Sequence, residues 1–137
     1  RPAELNGLPG PAHLLELSDE IGLSADQVAQ IEAIHAEMKR EAIDGGKRLI
    51  AAEQAIEDAF AGRDVDAQKL LVLVEEASAA RAQLRFVHLS RHLLMPPLLT
   101  TEQIRQYGIL RGYTSDPCAN VPDGHDPEMW KRHNGCS

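Results

Sequence analysis

The sequence predicts an all-α protein: a long antiparallel helical hairpin with a short helix at each end, a four-helix hooked hairpin expected to dimerise. Three observations carry this. The 137 residues are only 4% aromatic, and alanine, leucine and glutamate dominate, a composition suited to long helices around a thin core. Apolar residues recur by threes and fours over two long stretches, the period of a helix face. Between those stretches lies Gly62-Arg63-Asp64, a turn signal.

The elements follow in order. Residues 1–10 carry two prolines and two glycines and are expected to be loose. Pro11 suits the first turn of a brief helix with Leu14, Leu15, Leu17 and Ile21, stopped at Gly22. Ser24 then caps a second helix, and Gln27 stands at the capping-box position. That helix is long, with a seam of Val28, Ile31, His35, Met38, Ala42, Leu49, Ala52, Ile56 and Ala59. Gly45-Gly46 interrupts it and marks either a kink or a close approach of the neighbouring backbone. Asp64 is the expected cap of a third helix over about 65–95. The third seam reads Leu70, Val74, Ala77, Arg81, Leu84, His88, His92 and Met95, with Arg91 sharing the stripe. Arg81 on that line needs a carboxylate or the Gly45-Gly46 backbone as partner. Pro96-Pro97 breaks the helix, and Thr100 caps a short fourth one fading near Tyr113.

A formal charge of −7 argues against nucleic acid and anionic membrane surfaces, which want clustered Lys and Arg. No run of about 18 apolar residues spans a bilayer. The opening RPAELNGLPGP reads as a trimmed N-terminus, so a removed signal peptide or anchor is expected. Residues 1–113 form the helical domain and 114–137 a tail holding both cysteines, Cys118 and Cys136. A pair closing a polar loop is expected to form a disulfide, hence an oxidising compartment; free thiols or soft metal ligands are the alternative.

The histidines carry the functional signal. His88 and His92 lie four apart on one helix face and can present two imidazoles to one zinc, nickel or copper ion. In an antiparallel hairpin turning at 62–64, facing residue numbers add to about 126. His35 then faces Arg91, and Met38 faces His88. The same reasoning about Gly22 places His13 one turn from His35. Four histidines (His13, His35, His88 and His92) are thus expected at one level, as ligands of a divalent transition metal. The alternative is that His35 and His88 are core histidines satisfied by Glu32, Glu37 or Glu41. A second, weaker candidate lies in the tail. Asp126-Pro127 is a helix start, and His125, Met129 and His133 would share one face at four-residue spacing. That row suits a soft or borderline ion such as copper or silver; otherwise the tail is a cap with Met129 and Trp130 packed on the bundle.

Leu23-Ser24-Ala25-Asp26-Gln27 and Leu99-Thr100-Thr101-Glu102-Gln103 resemble the paired LTxxQ motifs of the Spy/CpxP-like periplasmic proteins, over about residues 11–113. The resemblance implies an all-helical hooked hairpin that dimerises in the periplasm. Its branches include stress chaperones and heavy-metal sensors or resistance proteins of the CnrX and ZraP kind. In the metal-sensing branch His88 matches the third-helix histidine, and His92 stands where that branch has methionine. His35 stands at the glutamate position, His13 lies one residue off the first upstream histidine, and Ser18 replaces the second. The chaperone branch presents a basic concave surface, from which this acidic chain departs.

The expected function is a periplasmic metal-binding protein, a sensor or resistance factor, working as a homodimer and without catalysis. No nucleophile–base pairing, phosphate loop or paired acids in an apolar pocket is visible in the sequence. The competing reading is a holdase chaperone for unfolded clients. A membrane signalling partner would suit the sensor, and unfolded client proteins the chaperone.

Overall fold

The computed structural model describes residues 2–113, Cys118 and residues 121–136. Positions 1, 114–117, 119–120 and 137, which belong to the expected N-terminal lead and C-terminal tail, lie outside them. Every regular element among the described residues is helical: α1 (Pro2–Leu5), α2 (Pro11–Glu16), α3 (Ala25–Ala61), α4 (Ala67–His92), a 3-10 turn (Pro96–Leu98), α5 (Thr101–Leu110) and α6 (Pro127–His133). The long pair α3 and α4 is the frame, and α2 packs on α3 while α1 reaches α4.

Both capping boxes form. Ser24 Oγ accepts from Gln27 N at 3.1 Å and Gln27 Oε1 accepts from Ser24 N at 2.8 Å; Thr100 and Gln103 repeat the pattern at 3.1 and 3.0 Å. The two glutamines also meet. Gln27 Nε2 donates to Gln103 Oε1 at 2.8 Å and Gln103 Nε2 to Gln27 Oε1 at 3.0 Å. Their remaining donor capacity goes to Leu98 O and Gly22 O. Residues 76 positions apart are therefore clamped by one reciprocal amide pair, which fixes the start of α3 against the start of α5. The main core lies at this end, with Leu14, Ile21, Ile31, Met95 and Tyr107 buried together.

Two expectations shift at the turn, the cap and the register. The cap of α4 is Asp66, whose side chain accepts from Lys69 N at 2.8 Å, and Asp64 instead pairs with Lys69 Nζ at 2.7 Å. Arg63 rather than a glycine takes the left-handed conformation, at φ 52°. Ending the connection at Asp66 lengthens it, so the pair slips by about one helical turn from the expected register. Gly45 marks the result: a Cβ there would sit 3.3 Å from Leu84 Cδ1 and 3.9 Å from Leu84 Cα. The glycine is a site of close backbone approach.

The α3 seam is as the spacing predicts, with Gly45 completing it. The α4 seam is not. Ala77, Ala80 and Val87 are the buried residues, with Leu70, Leu73, Leu84 and Arg91 half-buried between them. Val74, Arg81 and His88 stand one position off this line and are exposed. Arg81 finds a carboxylate, Glu53, at 3.3 Å, and Arg91 reaches Glu41 directly and Glu37 at 3.6 Å. The lead segment also departs from expectation. Where prolines and glycines predict a loose chain, Pro2–Leu5 form a helical turn with Glu4 only 8% exposed and Pro9 fully buried. α2 ends at Glu16, short of Gly22, which has φ 70° at the end of the following turns.

Candidate metal centre

Two adjoining cavities open where α1 and α2 cross the far end of the long pair. One of about 140 Å³ is lined by Glu4, Gly10, His13, Met38, His88 and His92, among others. The other, about 620 Å³, is lined by Glu4, His13, His92, Arg111 and Tyr113. Three of the four expected histidines are therefore brought to one place from α2 and α4. His35 is half-buried and is not among the residues lining either cavity. The register slip explains this: with Gly45 against Leu84, facing numbers add to about 129, so His35 moves from the level of Arg91 to that of Leu94, beyond the His88/His92 pair, while Met38 stays level with it.

The hydrogen bonds set the state of each imidazole. His92 Nδ1 lies 2.8 Å from Leu8 O and His88 Nδ1 3.1 Å from Leu84 O. His13 Nδ1 lies 2.7 Å from Glu4 Oε1. Carbonyl and carboxylate oxygens only accept, so each Nδ1 is the donor, and in the neutral form of such a ring Nε2 is the nitrogen that keeps a lone pair. An outer oxygen on one ring nitrogen is the arrangement that orients metal-binding histidines. The chain packs closely here. A Cβ on Gly10 would fall 2.9 Å from His92 Cε1, 3.4 Å from His92 Nε2 and 3.5 Å from Glu4 Oε1, so the absent side chain is what lets the imidazole and the carboxylate both approach the backbone at Gly10.

Glu4 anchors the site. It accepts from Tyr107 Oη at 2.9 Å, Tyr113 Oη at 2.5 Å and His13 Nδ1, and Arg111 Nη2 stands 3.7 Å away. Burial alone would raise its pKa, but the hydrogen bonds from Tyr113, His13 and Tyr107 together outweigh burial and lower it to about 2. Burial, and next the bond to this carboxylate, push the Tyr107 phenol well above its ordinary value. Glu4, Tyr107, Arg111 and Tyr113 carry no motif or spacing. The available signal was modest: a lone acid in a lead segment, and both of the chain's tyrosines near the end of α5.

Of the glutamates expected as alternative partners of His35 and His88, Glu37 and Glu41 are engaged with Arg91, and Glu32 is exposed. The donor chemistry of His13, His88, His92 and Met38 fits a borderline transition metal. Their spacing is open: among the described residues no three His, Cys, Asp or Glu side chains are gathered tightly enough to hold an ion. Closing the site requires side-chain rotation, for which the exposed His88 has room.

In the tail, Cys118 and Cys136 are joined, with S–S 1.99 Å and Cα–Cα 5.7 Å. Asp126 caps α6, accepting from Glu128 N at 3.0 Å, and Pro127 sits in the first turn. His125, Met129 and His133 line a cavity of about 360 Å³. No helix is long and apolar enough to cross a membrane among the described residues. Comparison with known protein families, curated proteins and solved structures returned no match to this chain.

Proposed function

We propose that this protein binds a divalent transition metal (zinc, nickel or copper) through His13, His88 and His92, with the Met38 thioether completing the set in place of His35. The supporting observation is that three imidazoles from two helices each spend Nδ1 on an oxygen and line one cavity. Glu4 holds His13 from behind, as a carboxylate orients a ligating imidazole. A thioether among imidazoles favours copper within this group of metals. The bound ion would tie α2 to the α3–α4 pair, and the shift of α2 is what a sensor would transmit. Acid would weaken binding, because only neutral imidazole is a ligand. The disulfide supports an oxidising compartment, and we assign the protein to the periplasm as a metal sensor or resistance factor without catalysis.

Calorimetric titration of zinc, nickel and copper into wild type and His88→Ala tests the reading. Loss of one high-affinity site in the variant is expected; equal stoichiometry and affinity for both proteins overturn it.

The long pair belongs to a hooked hairpin that dimerises. Ile43, Ile50, Leu71 and Phe86 are exposed along it, and a thin two-helix pair buries little surface alone. A stable monomer at micromolar concentration in light scattering refutes the dimer. The same exposed residues favour a second reading, a holdase for unfolded clients. Suppression of aggregation that is indifferent to metal and to His88→Ala would select it.

A further inference from the structure

The disulfide-closed cap stands apart from the cavities at α1 and α2 and carries its own donor set. Asp126 and Pro127 start α6 at a defined residue, so Met129 and His133 fall on one side at four-residue spacing, whereas His125 stands in the turn before the cap rather than on the expected helix face. All three line the same cavity of about 360 Å³, together with Trp130. The His125 and Trp130 rings meet edge to face, 4.8 Å between centroids and 64° between planes. Met129 is 65% exposed, whereas Met95 is fully buried in the core. Packing therefore accounts for Met95 and leaves the placement of Met129 unexplained.

The chemistry of the set is selective. It offers two imidazoles and a thioether, all neutral donors. The carboxylate of Asp126, which also borders the cavity, already accepts from the Glu128 amide. Both cysteines are consumed by the disulfide, so the thioether is the sulfur this cap can offer. Hard cations want oxygen, and zinc sites are built from imidazole, thiolate and carboxylate. Thioether with imidazole selects a soft monovalent ion of the cuprous or silver class. An indole beside the site adds attraction to a cation over its face.

We propose that the cap is a second metal site, in which His125, Met129 and His133 bind one cuprous or silver ion beside Trp130. The site is independent of the His13/His88/His92 cluster and does not rest on it. Trp130 is the single tryptophan of the chain, so fluorescence excited selectively at indole reports on this cap alone. Silver nitrate, a redox-inert probe of the cuprous class, is titrated in halide-free buffer into the full chain, its Met129→Leu variant and His88→Ala. A saturable change in Trp130 emission complete near one equivalent is expected for wild type and unchanged for His88→Ala. Met129→Leu, a conservative change at an exposed side chain, should weaken the response at least tenfold while far-ultraviolet dichroism stays the same. Zinc at equal concentration should leave the emission unaltered. Silver that fails to perturb Trp130, or that binds wild type and Met129→Leu equally, overturns the proposal.

Discussion

Replacing Glu4 with Gln removes the charge that four side chains converge on, while nearly preserving shape. Glu4 has its pKa lowered from the ordinary 4.5 to about 2. At about 1.4 kcal/mol per unit, the ionised carboxylate contributes about 3 kcal/mol to stability. Because the folded value lies below the unfolded one, this contribution is complete above about pH 4.5 and fades as the pH falls toward 2. Urea unfolding, followed by far-ultraviolet dichroism, should show wild type well above Glu4→Gln at pH 6. The gap should narrow by about 2 to 3 kcal/mol at pH 2.5, where Glu4 is almost wholly protonated in the unfolded chain and about a quarter protonated in the folded protein. Any fixed cost of placing an amide among hydroxyl and imidazole donors persists at both pH values and cancels from the narrowing. Carbon-detected titration of the Glu4 carboxyl provides a direct check, with a midpoint near 2 expected. A gap that stays constant with pH, or a midpoint near the ordinary glutamate value, refutes the assignment of Glu4 as the anchored charge of this end.

The Gln27–Gln103 clamp should show coupling: in a double-mutant cycle of Gln27→Ala and Gln103→Ala, the pair should lose about 1 kcal/mol less than the sum of the singles, and strict additivity would argue that the two amides act separately. Gly10→Ala should push the His92 ring off its bond to Leu8 O, since the new Cβ would lie 2.9 Å from Cε1; metal affinity should fall about tenfold in calorimetry with helix content unchanged, and unaltered affinity would remove His92 from the ligand set. Reducing the Cys118–Cys136 bond opens a loop of 18-residue separation, worth about 3 kcal/mol in the chain-entropy model. Amide exchange in α6 should accelerate about a hundredfold while α3 and α4 keep their protection; equal acceleration in all three helices would mean that the cap and the long pair unfold together.

Local signals were enough for much of this molecule. Ser24 with Gln27 and Thr100 with Gln103 are legible as caps because the bonds that make them span only three residues. Asp126-Pro127 announced α6 for the same reason, and the paired cysteines and the α3 seam were readable from spacing. The gathering of His13, His88 and His92 was also in reach, since it depends on which end of each helix the residues occupy. What spacing could not decide was register. Asp64 and Asp66 are equally good caps by residue type, and choosing between them moves α3 along α4 by about a turn, which carries His35 past the site and leaves Met38 beside it. On α4, apolar residues occur on more than one face, so the lines through Val74 and Arg81 or through Leu73 and Ala80 both satisfy a helical period. Packing chose the second, because small alanines let two backbones approach and an arginine does not. The burial of Glu4 was decided entirely in three dimensions. A carboxylate leaves water only where donors replace it, and its donors come from residues 9, 103 and 109 positions away, brought together by the crossing of α1, α2 and α5 rather than by any pattern along the chain.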